Sequence, residues 1–240
     1  MDRSTLRTTA LLLSLLAGFF LTVPALNGYD LFKPPTERVR LLIEQGRYDE
    51  AEEELDRQWA ESITRLGPGN GLQDGIDYTL GMLYLLQGEN IRAHEQLRLL
   101  MGRIEHDGNP NHPDVSLICR GLAEANRNLG RDWAAEANYR RAIDMLTRWK
   151  GPKAPELIDP LSNLGDFYLE QNTLDDAERY FHRALKIADD YKLPYNERMV
   201  NGLGRLAEYY QEQGHYGQAE YYYGKVMEFK RKRFEQEHSR

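Results

Sequence analysis

From Thr36 onward, apolar and polar residues alternate with helical spacing, in short segments separated by brief breaks. The stretch Leu161 to Ala184 shows the pattern most fully. Leu164, Gly165 and Tyr168 fall on one face of a first helix. Asn172 then supplies a residue that tolerates the left-handed backbone with which many helices end. Ala177, Phe181 and Ala184 follow at i, i+4 and i+7 as the inner face of a second helix. Gly165 and Ala177 are small where two antiparallel helices must approach, and Phe181 is large where the space beyond needs filling. No period-two alternation is sustained anywhere, so no sheet is expected.

The same register recurs every 42 residues. Ala51, Ala93, Ala135 and Ala219 repeat the Ala177 position, and Gly46, Gly88, Gly130 and Gly214 repeat that of Asn172. Leu80, Leu122 and Leu206 match Leu164, while Gly81, Ala123 and Ala207 match Gly165. Leu55, Leu97, Tyr139 and Tyr223 match Phe181. Five copies hold this register without an insertion, and only the first departs from it, with Arg38 in the leading leucine position.

Leu, Gly/Ala, Tyr, Ala, Phe/Tyr and Ala at these offsets resemble the tetratricopeptide repeat. The 42-residue spacing, longer than the usual 34 or so, resembles its kinesin-light-chain-type variant. His112-Pro113-Asp114-Val115 and Gly151-Pro152 with Ala154-Pro155-Glu156-Leu157 open two of the repeats in the manner of that variant. The resemblance implies an all-α fold, a right-handed α-solenoid of about five helical hairpins preceded by an N-terminal hydrophobic helix. The repeats are expected near 36–66, 74–106, 114–149, 156–191 and 197–234.

The first 26 residues stand apart. Arg3 and Arg7 precede an apolar run from Ala10 to Val23, and small residues follow at Val23-Pro24-Ala25, as in a cleaved secretory signal. The uncharged stretch 8–29 spans 22 residues, long enough for a retained membrane anchor. Both readings stand. Either one, with Asp30 on the far side, predicts an exported domain: extracytoplasmic or periplasmic, or anchored in the membrane. Residues 27–35 form a Pro-rich connector through Phe32-Lys33-Pro34-Pro35, and Thr36 is placed to cap the first helix.

Composition narrows the function. The net charge of −7 becomes −8 without Asp2, Arg3 and Arg7, which argues against nucleic acid as a partner. Cys119 is the single cysteine, so no internal disulfide forms, and a buried inert thiol is expected. Gly67 to Gly75 contains a G-x-G spacing without the strand or Lys-Ser/Thr that phosphate binding needs, and reads as loop. The six histidines are scattered; His106 and His112 flank a loop that does not preorganise ligands. Glu50, Glu52, Glu53 and Glu54 read mostly as a solvated helix face. The basic run Lys230 to Arg233 suits a helix C-terminus and the polar end of a solenoid. No catalytic residues, metal or cofactor are expected.

The resemblance also implies that the first helices of the hairpins line a concave surface for a protein or peptide partner. Carried onto this chain, the groove positions are Tyr78, Met82 and Leu85, then Arg120, Glu124 and Arg127. Ser162 and Asp166 follow, then Glu208, with Asn163 and Arg205 on the edge. On this reading apolar anchors meet Tyr78, Met82 and Leu85, and Arg120 and Arg127 take an acidic group. The expected role is a non-enzymatic scaffold, in assembly of an envelope or membrane complex. Two alternatives are self-assembly through the Tyr-rich last repeat, with Tyr209, Tyr210, Tyr216, Tyr221, Tyr222 and Tyr223, and a subunit of an exported enzyme.

Overall fold

The computed structural model describes residues 36–106, 115–193 and 196–238. The leader, the connector 27–35, the loop 107–111, His112-Pro113-Asp114 and Pro194 lie outside the described residues. The described chain is helical throughout: α1 Glu37–Glu44, α2 Tyr48–Leu66, α3 Gly71–Gln87, α4 Asn90–His106, α5 Val115–Asn128, α6 Asp132–Lys150, a 3-10 turn Pro155–Leu157, α7 Ile158–Glu170, α8 Leu174–Tyr191, α9 Glu197–Glu212 and α10 Tyr216–His238. The fold is all-α and built of tandem helical hairpins, as expected. The helices group into two compact units, Met1–Asn138 and Tyr139–Arg240.

Each hairpin turns by the same device. Gly46, Gly88, Gly130 and Gly214 have φ between 68° and 78°, and Asn172 has φ 57°. At each of the five, the amide of the following residue reaches back to a carbonyl five residues earlier. Arg47 to Leu42, Glu89 to Tyr84, Arg131 to Asn126, Thr173 to Tyr168 and His215 to Tyr210 span 2.8–2.9 Å. This left-handed closure satisfies carbonyls that the helix end would otherwise leave open. A side chain at φ > 0 is strained, which is why four positions are glycine and the fifth asparagine.

The helix starts correct two expectations. The glycine-rich segment is not loop up to Gly75, because α3 begins at Gly71. Asn70 Oδ1 accepts from the Gln73 amide at 3.2 Å, and Gln73 Oε1 accepts from the Asn70 amide at 3.2 Å. That reciprocal capping box offsets the low helix propensity of the glycines. Thr36 occupies the N-cap position of α1 but makes no side-chain cap; its hydroxyl instead accepts from Gln58 Nε2 at 2.9 Å. With Arg38 in place of leucine, α1 spans only eight residues, and Arg38 turns outward to Glu54 at 3.5 Å.

Packing follows the repeat register. Ala51, Ala93, Ala135, Ala177 and Ala219 are all buried. In the first unit Leu97 fills the space beside two glycines: a β-carbon on Gly81 of α3 would stand 2.6 Å from its Cγ, and one on Gly121 of α5 would stand 2.7 Å from its Cδ1. In the second unit Phe181 of α8 is held the same way between Gly165 of α7 and Gly202 of α9. Burying such a side chain contributes roughly 1.5–3 kcal/mol, provided the facing helix leaves room for it.

Candidate functional site

In the first unit the expected groove residues are mostly inside. Tyr78, Met82 and Leu85 on α3 are at most 2% exposed. Met82 packs toward α5, where a β-carbon on Gly121 would lie 3.4 Å from its Sδ. Arg120 and Glu124 on α5 are buried and Arg127 is half-buried, with Arg127 Nη1 3.9 Å from Glu124. These three apolar side chains therefore offer a ligand almost no surface in this structure.

In the second unit a polar face forms where Asp166 of α7 meets Arg205 of α9. Asn163 and Asp166 lie one turn apart on α7; Arg205 and Glu208 lie one turn apart on α9. Arg205 Nη1 stands 3.5 Å from Asp166 Oδ1, and Arg198, from the first turn of α9, stands 4.0 Å from Asp166 Oδ2. Arg205 and Glu208 are exposed, whereas Asn163 is buried. The side-chain Nδ2 of Asn163 finds no hydrogen-bond acceptor among the described residues. A buried amide left this way costs about 1–3 kcal/mol until an acceptor arrives.

The neighbouring contacts fix α7 against α9. Asn196 caps α9 by accepting from the Met199 amide at 2.7 Å, and its Nδ2 donates to Asp159 at 2.6 Å and to Ser162 Oγ at 3.3 Å. Ser162 Oγ in turn donates to the Ile158 carbonyl at 2.7 Å. Ser162 is thus a buried tie between the helices and not an open groove residue. The sequence reading missed Arg198 and Asn196. Arg198 precedes Arg205 by seven residues, the spacing of one helix face, and that signal was available.

Other candidates resolve into structure. Cys119 is buried. Among the described residues no group of three or more His, Cys, Asp or Glu side chains is placed to hold a metal, and His112 lies outside them. Glu54 departs from the solvated-face reading: it is buried, and it pairs with Arg57 and accepts from Gln58 at 2.7 Å. Those hydrogen bonds, from Gln58 and then Arg57, hold its carboxyl below the usual range. Glu52 also faces inward, accepting from Tyr84 Oη at 2.9 Å and from Arg92 Nη2 at 2.6 Å. Burial first, and then the Glu52 hydrogen bond, push the Tyr84 hydroxyl up to about 12.

The tyrosines of the last repeat divide in two. Tyr222 is buried and Tyr210 half-buried, and both donate to the Glu178 carboxylate, Tyr210 at 2.6 Å. Their ionisation is pushed upward, by burial and then by Glu178. Tyr216, Tyr221 and Tyr223 face outward.

The sequence model of the family described as "Tetratricopeptide repeat" matches residues 156–232, which contain α7, α8, α9 and most of α10. Over that stretch the chain carries tetratricopeptide repeats. The fold of the chain is similar to that of BtubC (BKLC) from P. vanneervenii, with a TM-score of 0.69 and 21% identity over 95% of this chain and 88% of that one. A putative kinesin light chain from Podosopora anserina, crystallised for its nearly identical TPR-like repeats, aligns with a TM-score of 0.64 and 18% identity. That alignment covers 82% of this chain and 93% of the relative. A Rap protein complexed with Competence and Sporulation Factor aligns at 0.56 with 12% identity, over 97% of this chain and 73% of that one. No curated protein sequence matches significantly. Among the described residues no helix is long and apolar enough to cross a membrane, and the stretch 8–29 lies outside them.

Proposed function

We propose that this TPR protein is a non-enzymatic scaffold that holds a peptide segment of a partner protein across α7 and α9. The buried amide of Asn163, without an acceptor among the described residues and on the edge of the expected groove, is the observation that carries this reading. A backbone carbonyl or side-chain carboxylate of a peptide would satisfy it. Arg205, exposed and held near Asp166, would take an acidic group one turn away. The Rap relative, crystallised with Competence and Sporulation Factor, supports the idea that a fold of this kind accommodates a ligand. The apolar stretch with Arg3 and Arg7 before it and Asp30 after it supports placing the scaffold outside the cytoplasm, where it would serve assembly of an envelope or membrane complex.

A photo-crosslinking side chain at Glu208 of the full chain, expressed in cells, tests the reading. It should join one recurrent protein, and Arg205→Glu should abolish that adduct while the helical melt stays unchanged. A probe at exposed Trp133 should not join the same protein. Adducts that persist in Arg205→Glu would place any partner elsewhere on the molecule.

A further inference from the structure

Along α10 the repeat's stacking positions are exposed. Tyr223 and Met227 of α10 occupy the repeat positions held by Phe181 and Leu185 in α8 and by Leu97 and Met101 in α4, all four of which are buried. Phe181 and Leu97 are covered by the first helix of the following hairpin, through Gly202 and Gly121. On α10 the same positions are open: Tyr223 is 36% exposed and Met227 63%, with Tyr216 at 70% and Phe234 at 60%.

The stripe has an order that selects its occupant. At about 100° per residue, Tyr216, Glu220, Tyr223, Met227, Lys230 and Phe234 fall within a strip about 80° wide. The strip is centred opposite Lys225, whose Nζ turns back to Asp189 at 2.7 Å. A two-fold axis crossing α10 at the level of Lys225 would place Tyr216 opposite a second copy's Phe234, Glu220 opposite its Lys230, and Tyr223 opposite its Met227. Each contact then occurs twice, and every one is complementary: aromatic on aromatic, carboxylate on ammonium, ring on thioether. A parallel pairing would instead set Glu220 against Glu220 and Lys230 against Lys230. We infer that α10 is a homodimerisation face on which a second copy of this chain packs its own α10 antiparallel. This face is separate from the polar face on α7 and α9, so one dimer would present two such faces.

Sedimentation equilibrium of the full chain in density-matched detergent, with cysteine crosslinking beside it, tests the inference. Wild type should dimerise, and Glu220→Lys should weaken the dimer about tenfold, because like charges then meet twice. Adding Lys230→Glu should restore it. The double variant Tyr223→Cys, Met227→Cys should form disulfide-linked dimers on mild oxidation, and Tyr223→Cys alone should not; native Cys119 is buried and silent. These substitutions sit on exposed positions, and an unchanged helical melt confirms folding. Wild type that stays monomeric up to about 100 µM, weaker than any stable homodimer, would overturn the inference. So would a dimer indifferent to Glu220→Lys, or one in which Tyr223→Cys crosslinks as well alone as in the pair.

Discussion

Phe181 and Gly202 meet so closely that a β-carbon on Gly202 would lie 2.1 Å from the ring Cζ. The ring cannot retreat, because on its other side a β-carbon on Gly165 would lie 3.0 Å away. One glycine of the following hairpin therefore lets Phe181, the largest fully buried side chain of α8, fit.

Alanine is normally favoured over glycine inside a helix by about 1 kcal/mol. At Gly202 the steric term should win, and Gly202→Ala should lose roughly 1–3 kcal/mol through overpacking. Gly204, two residues on in the same helix, has nothing within 4 Å of its β-position. Gly204→Ala should gain roughly 0.5–1 kcal/mol. Urea midpoints of the two variants, compared with wild type, check the opposite signs.

Much of this fold was legible because helical hairpins write their constraints locally. The alanine column from Ala51 to Ala219 and the turn column from Gly46 to Gly214 each reflect one requirement met five times within a single hairpin. Gly121 and Gly202 escaped notice for a physical reason. Each relieves a side chain from the previous hairpin, and they sit one helical turn apart in the repeat frame, so no shared column reveals them. The candidate site was less legible for a similar reason. Groove positions carried over from a resemblance share a helix face, but exposure depends on what packs there; Tyr78, Met82 and Leu85 are buried, while Asp166 and Arg205 come together. The reading of Glu54 failed because a carboxylate run on one helix does not announce which member turns inward.

Asn172 is one of two non-glycine residues with positive φ among the described residues, at 57° where the other four hairpin turns carry glycine. Asn172→Gly should stabilise the chain by up to about 1 kcal/mol, since the strain exceeds the added entropy of the unfolded glycine. Asn172→Ala should destabilise it by about 1 kcal/mol. Thermal melts of the pair should shift in opposite directions.

Tyr84 gives the first unit an alkaline limit. Its hydroxyl ionises near 10 when unfolded, and in the folded chain burial and Glu52 push it up to about 12. The folded state thus favours the neutral phenol. This contribution is complete below about pH 10 and is lost as pH rises through about 12. Tyr84→Phe should flatten the fall in stability over that window, measured by denaturant titration at several pH values. An unchanged slope in the variant would mean other groups set the limit.

The proposed peptide site on α7 and α9 works through Asn163 and Arg205. Selecting a random peptide library against the full chain, then measuring affinities of the winners by calorimetry, tests this most directly. Winners should carry an acidic residue. Arg205→Glu should weaken them at least about tenfold, and Asn163→Leu should weaken them by a similar factor, because each removes one charge-assisted or buried hydrogen bond. Winners that bind both variants as tightly as wild type would contradict it.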